Sequence, residues 1–127
     1  VKLSIITDVQ SSNVFSIFSE GVFWSLNELI NNAKEYSKIL CKIVIEFKIT
    51  DQTLNIHFYD NGGGVEEIEL EKIFDPFYTT GRGVDKRLGL GLYQMHNIVV
   101  QLLNGEVHAY NDSGLHFKIT IPISTSL

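Results

Sequence analysis

The chain has 127 residues, 44% of them apolar and 20% charged, which suits one domain with its own core and excludes disordered, collagen-like and low-complexity classes. Fifteen acidic residues against ten basic give a net charge of −5, the opposite sign from a domain that wraps nucleic acid. No apolar run approaches the roughly 18 residues that span a bilayer, and no signal peptide is visible.

The single cysteine, Cys41, forms no internal disulfide, as expected in a reducing compartment. A cytoplasmic location without membrane contact by this domain is therefore expected. A chain that begins at Val1 and has Met95 as its only methionine reads as a fragment of a longer protein, with residues 1–127 forming one domain.

Residues 1–9 alternate Leu3 and Ile5 with polar partners and predict a first strand. From Val14 the period lengthens: Phe15, Phe18, Val22, Leu26, Leu29 and Ala33 recur at steps of three and four, one face of an amphipathic helix ending near Ser37. Ile43, Ile45, Phe47 and Ile49, then Leu54, Ile56 and Phe58, alternate with polar residues around Asp51-Gln52, a predicted hairpin. Asp60-Asn61-Gly62-Gly63-Gly64 ends its second strand. Residues 66–72 predict a short acidic helix closed by Asp75-Pro76, and residues 78–88 a loop. A second long helix follows with Leu92, Met95, Val99 and Leu102 on one face and Gly105 as its stop. Strands 106–111 and 115–123 close the chain around Asp112-Ser113-Gly114, with Phe117, Ile119, Ile121 and Ile123 pointing one way. The expected fold is α+β: a mixed, mostly antiparallel sheet of about five strands with about three helices on one face.

Three places carry candidate chemistry. Glu28 and Asn32, four apart on the first helix, project from one face beside the apolar stripe, where a carboxylate and an amide oxygen suit a hard cation or its waters. The same pair is also what an ordinary polar helix shoulder looks like. Asp60 at a strand end can accept a hydrogen bond from an amine, and the glycines after it let backbone approach a ligand, or simply make a turn. Gly89-Leu90-Gly91-Leu92 opens a helix, where backbone N–H groups face anions. Arg82, Lys86 and Arg87 stand just upstream against the one acid Asp85, a local charge reversal that favours a phosphate partner. Neither common nucleotide fingerprint is present.

Taken in order, Glu-x-x-x-Asn-Ala on a helix, Asp-x-Gly-x-Gly after a strand, Phe74-Asp75-Pro76-Phe77 and Gly-Leu-Gly-Leu closely resemble the catalytic ATP-binding domain of sensor histidine kinases. That domain belongs to the Bergerat-fold ATPases, with DNA gyrase and MutL. The resemblance runs from about Phe23 to Pro122. It implies ATP and Mg²⁺ as cofactors. Asn32 would ligand Mg²⁺, Glu28 would stand where a water-orienting or proton-accepting glutamate stands, and Tyr36 would line the adenine pocket. Asp60 would accept the adenine amino group, with Gly62 and Gly64 permitting close approach. Phe74 and Phe77 would anchor a lid over residues 78–88. Arg82, Lys86 and Arg87 would reach phosphate, with Gly89, Leu90, Gly91 and Leu92 supplying the phosphate-facing helix start.

The resemblance also implies partners: a dimerisation domain of the parent chain carrying the phosphoacceptor histidine, and a response regulator downstream. A membrane-anchored parent is compatible with it. His57, His96, His108 and His116 lack the acceptor context and read as structural or surface residues. Three positions depart from the family pattern: Arg87 and Leu88 ahead of the Gly-Leu-Gly-Leu box, and Glu35 where a lysine is usual. They motivate an alternative, a nucleotide-binding sensing or scaffold module without phosphoryl transfer. Glu28 motivates another, a stand-alone serine kinase or ATPase of the same fold.

Overall fold

A computed structural model describes residues 2–7, 20–36, 42–61, 65–75 and 91–122. Strand β1 is Lys2–Thr7, helix α1 is Glu20–Tyr36, and β2 (Lys42–Thr50) and β3 (Thr53–Asp60) form the hairpin. Helix α2 starts as Gly91–Asn97 and continues as a π-helical turn over Ile98–Leu102; β4 (Glu106–Asn111) and β5 (Leu115–Pro122) follow. The five strands lie in the order β1-β2-β3-β5-β4. β1 runs parallel to β2 and every other pair is antiparallel, so the sheet is mixed and mostly antiparallel, as expected.

Alternation decides the two faces of the sheet, because successive strand residues point to opposite sides. Ile45, Phe58 and Phe117 align across β2, β3 and β5, and Phe47, Ile56 and Ile119 form the next row. All six are buried, in one core with Val22, Leu26, Leu29 and Ala33 of α1 and Leu92, Met95 and Val99 of α2. The opposite face carries Glu46, His57, Lys118 and His108 in one row and Val44, Tyr59, His116 and Tyr110 in the next. β1 at the sheet edge leaves Leu3, Ile5 and Ile6 exposed.

Three local expectations are corrected. The acidic stretch forms a single 3₁₀ turn, Glu67–Glu69, followed by turns, so two helices and one 3₁₀ turn stand where three helices were expected among the described residues. The segment sets Leu70, Ile73 and Phe74 against the core but leaves Ile68 exposed among Glu66, Glu67, Glu69 and Glu71, and the one regular turn that forms there is 3₁₀. In α2, Leu102 does not join the core but is 73% exposed, and Leu103 packs there instead. The cause is the π turn: the Leu103 N–H donates to the Ile98 carbonyl five residues back, at 3.0 Å, and this wider turn rotates the last residues off the α-helical face. The helix then ends on Asn104, in the left-handed region at φ 57, and not on Gly105. Gly105 serves packing, since a Cβ there would lie 2.3 Å from the Thr120 carbonyl oxygen. The expected helix residues Val14, Phe15, Phe18 and Ser37, and the strand residue Ile123, lie outside the described residues.

The β2–β3 turn has Asp51 at φ 49 and Gln52 at φ 62. Two positive φ values suit the two-residue hairpin, but a left-handed Gln is costly. Gln52→Gly is expected to raise unfolding stability by about 0.5–1 kcal/mol in urea titration. Leu29→Ala, which empties a fully buried position, is expected to cost about 2–5 kcal/mol, whereas Leu102→Ala should stay within about 0.5 kcal/mol of the parent. Similar losses at both leucines would contradict the π-turn register.

Candidate functional site

Strand pairing gathers three parts of the chain at one end of the sheet. α1 leads into the start of β2, and the start of β2 pairs with the end of β3: Ile43 opposes Asp60. Tyr59 in turn opposes His116 near the start of β5, and Leu115 opposes Asn111 at the end of β4. Asp60, the start of β2 and the β4–β5 turn are thereby brought to the same end.

On α1, Glu28 and Asn32 are partly buried, next to the buried Leu29 and Ala33. That is the shoulder position expected from their spacing. Tyr36 is the last residue of α1.

Asp60, partly buried, sits at a corner held from three directions. Its successor Asn61 accepts the Lys42 backbone N–H on Oδ1 at 2.8 Å and donates its own N–H to the Lys42 carbonyl at 3.2 Å. Beyond the glycines, Val65 donates its N–H to Asn111 Oδ1 at 3.0 Å, and Asn111 Nδ2 donates back to the Val65 carbonyl at 2.6 Å and to Glu67 Oε1 at 3.2 Å. From the third side, Gly114 lies so close that a Cβ there would fall 1.9 Å from the Asp60 carbonyl oxygen, and its φ of +141 also disfavours any side chain. The strand end carrying Asp60 is therefore held by the side-chain amides of Asn61 and Asn111, with a residue lacking a Cβ, Gly114, packed against its carbonyl.

Phe74 packs against His96 of α2, ring centroids 4.9 Å apart, and against Phe117 at 6.0 Å. With Ile73 fully buried, this ties the residues just before 76–90 to the core. Gly91 and Leu92 open α2, and Leu92 is buried. Gly62, Gly64, Phe77, Arg82, Lys86, Arg87, Gly89 and Leu90 lie outside the described residues.

Asn61, Asn111 and Gly114 were not read as site residues from the sequence. Asn61 sits inside the Asp-x-Gly-x-Gly box, and a polar side chain beside a glycine run was its only signal. Asn111 reads as the end of a strand and Gly114 as part of an ordinary turn, because their partners Val65 and Asp60 lie far away along the chain.

The cluster on the outer sheet face was also unforeseen. His57 Nε2 lies 2.9 Å from His116 Nδ1 and 3.1 Å from the Tyr110 hydroxyl, and His116 Nε2 lies 2.8 Å from the Asp112 carbonyl oxygen. The His116 ring is stacked between Tyr59, at 4.8 Å and 7°, and Tyr110, at 4.7 Å and 22°. Burial pushes the His57 pKa below 6.5; the charge of His116 adds to this, and Glu46, 3.6 Å away, opposes it. Burial pushes the Tyr59 phenol up, with Glu46 adding to it. Among the described residues no group of three or more His, Cys, Asp or Glu side chains is arranged to hold a metal ion, and no helix is long and apolar enough to cross a membrane.

Comparison with known proteins gives these features a context. Residues 19–125 match the family described as histidine kinase-, DNA gyrase B- and HSP90-like ATPases. The two-component sensor PprA of Pseudomonas aeruginosa is 37% identical over 71 residues, which is 56% of this chain and 8% of that protein. The sensor protein KdpD of Clostridium acetobutylicum is 30% identical over 128 residues, covering 96% of this chain and 14% of that protein. The chain thus spans only about a tenth of the length of these curated relatives. Among solved structures, the catalytic domain of histidine kinase ThkA superposes with a TM-score of 0.74 at 25% identity, over 95% of this chain and 78% of that one. A sheet of matching architecture and a family match over nearly the whole chain agree: the chain belongs to the histidine kinase-, DNA gyrase B- and HSP90-like ATPases, among the histidine kinase catalytic domains.

Proposed function

We propose that this chain binds ATP with Mg²⁺ and donates the γ-phosphoryl group to a histidine on a separate dimerisation domain. It would thus be the catalytic part of a two-component sensor kinase whose product passes to a response regulator. The observation that carries the reading is the corner at Asp60. In a chain of this ATPase family, a partly buried carboxylate ends a strand that is pinned through Asn61 and Val65 and backed by Gly114. A rigid acceptor of that kind suits an exocyclic amine, and a site that hydrogen-bonds such a group discriminates against purines lacking it.

The other assignments follow from the motifs the chain shares with its family. Asn32 would hold Mg²⁺ through its amide oxygen, and Tyr36 would line the adenine pocket. Gly62 and Gly64 would let the backbone approach the base. Phe74 and Phe77 would anchor the lid from which Arg82, Lys86 and Arg87 reach phosphate, and Gly89, Leu90, Gly91 and Leu92 would present the helix start to it. When bound, Mg²⁺ supplies charge neutralisation at the phosphates. The chain's own residues orient the nucleotide, which is most of what phosphoryl transfer needs from a protein. One relative supports the partner assignment: ThkA has been solved in complex with a response regulator protein, TrrA. Glu28, one turn before Asn32, supports a second reading in which the chain activates water or a hydroxyl and acts as an ATPase or serine kinase.

Calorimetric titration of the chain with a non-hydrolysable ATP analogue and Mg²⁺ tests the site. Asp60→Asn is expected to weaken binding by roughly 1–3 kcal/mol, on the order of tenfold to a hundredfold, because it replaces the acceptor of a buried hydrogen bond. Asn32→Ala is expected to remove the Mg²⁺-dependent part of the affinity. Trp24 fluorescence gives a parallel signal. A folded parent chain that does not bind the analogue would overturn the reading. Supplied with a helical domain bearing an exposed acceptor histidine, the chain is expected to produce acid-labile phosphate from ATP-Mg²⁺. Acid-stable phosphate, or ATP hydrolysis by the chain alone, would favour the Glu28 reading.

A further inference from the structure

We propose that His116 is a positioning residue for the nucleotide site, and that its proton-sensitive hydrogen bond with His57 makes nucleotide affinity depend on pH. The proposal rests on the reading of Asp60 as the adenine acceptor and adds regulation to that site.

The hydrogen positions follow from the partners. The Asp112 carbonyl can only accept, so His116 Nε2 carries a hydrogen and donates it at 2.8 Å. The neutral ring then has a bare Nδ1, which accepts from His57 Nε2 at 2.9 Å. The Tyr110 hydroxyl oxygen, 3.1 Å from His57 Nε2, lies beside the same hydrogen. His57 Nδ1 is left without a hydrogen and faces Glu46 Oε2 at 3.6 Å.

The bond between the rings survives a first added proton and is broken by a second. The first goes to His57 Nδ1, forms an ion pair with Glu46, and leaves the bond between the rings intact. The second has only His116 Nδ1 to occupy, and two N–H groups would then point at each other across 2.9 Å. The surroundings act on His57 in opposite directions: burial, the largest influence, disfavours its charged form, His116 and Lys118 on β5 add to that, and Glu46 on β2 favours the charge. Lys118 also lies 5.6 Å from the Tyr110 ring centroid. Tyr59 and Tyr110 enclose the His116 ring, and His108 of β4 stands opposite Lys118 in the pairing.

His116 reaches Asp60 by two routes. Its ring stacks on Tyr59, the residue before Asp60. Its Nε2 hydrogen holds the carbonyl of Asp112, whose N–H donates to the Gly114 carbonyl at 2.9 Å, and Gly114 is the residue pressed against the Asp60 carbonyl. Loss of the His57–His116 bond frees the ring that props both the strand end and the turn behind it.

Stability carries the same sign. The folded pKa of His57 is depressed, so its contribution is fully present above pH 6.5 and is lost as pH falls below that toward the lowered folded value.

The test is the affinity of the 127-residue chain for the non-hydrolysable ATP analogue with Mg²⁺, followed from about pH 8 to about pH 5.5, the range in which histidines titrate. Three proteins are compared: the parent chain, His116→Gln and His116→Ala. Gln keeps an N–H donor for the Asp112 carbonyl but does not titrate; Ala keeps neither. The nucleotide's terminal phosphate titrates in the same range, and the difference between parent and His116→Gln cancels it. The parent is expected to lose affinity on acidification by on the order of fivefold more than His116→Gln, and His116→Ala to bind on the order of fivefold more weakly than the parent at pH 8. Should His116→Ala not fold, the parent against His116→Gln comparison decides alone. Parallel pH profiles for parent and His116→Gln would overturn this inference while leaving the ATP site standing. Absence of binding by the folded parent at pH 8 would overturn both.

Discussion

The contact between Gly114 and the carbonyl of Asp60 is the constraint on which the site end of this molecule depends. It joins the two hairpins where no ladder hydrogen bond does, and it tolerates no Cβ. Because β3 pairs with β2 on one side and β5 on the other, its last residue inherits the register of both neighbours. The Asn61–Lys42 and Asn111–Val65 hydrogen bonds then close the corner. A carboxylate placed there loses little freedom on meeting a ligand, which is what preorganisation requires.

The two faces of the sheet divide the work. The inner face is filled by Ile, Leu and Phe and by the helix stripes. It fixes where α1 presents Glu28 and Asn32 and where α2 begins. The outer face carries a polar and aromatic ladder of Tyr59, His116 and Tyr110, crossed by Glu46, His57 and Lys118. Buried polar groups in such a ladder must be mutually satisfied or they cost stability. Here the bond between His57 and His116 holds until both rings are protonated, which makes that face the natural place for a chemical signal to enter.

Much of this was legible in the amino-acid order. Period-two alternation in residues 43–58 and 115–121 and the three-four stripe from Val22 to Ala33 depend on each segment's own pattern, and each appears where expected. The box residues Asn32 and Asp60 were equally readable, since a helix shoulder and a strand end are local positions. The acidic segment and the end of α2 were less readable. The 3₁₀ turn over Glu67–Glu69 and the five-residue bond from Leu103 to Ile98 change the local geometry, and residue type alone announces neither.

What the sequence determined by itself is most of the elements, the buried stripes of α1 and of the strands, and the motif residues that carry the family resemblance. Those follow from periodicity and side-chain type, which are properties of neighbours along the chain. What only the tertiary structure decided is what those elements bring together: Gly114 behind Asp60, Asn111 on Val65, and His57 bonded to His116, partners 59 residues apart. Strand order and register set these meetings, and both come from how the whole sheet packs against its helices, a property no single segment possesses.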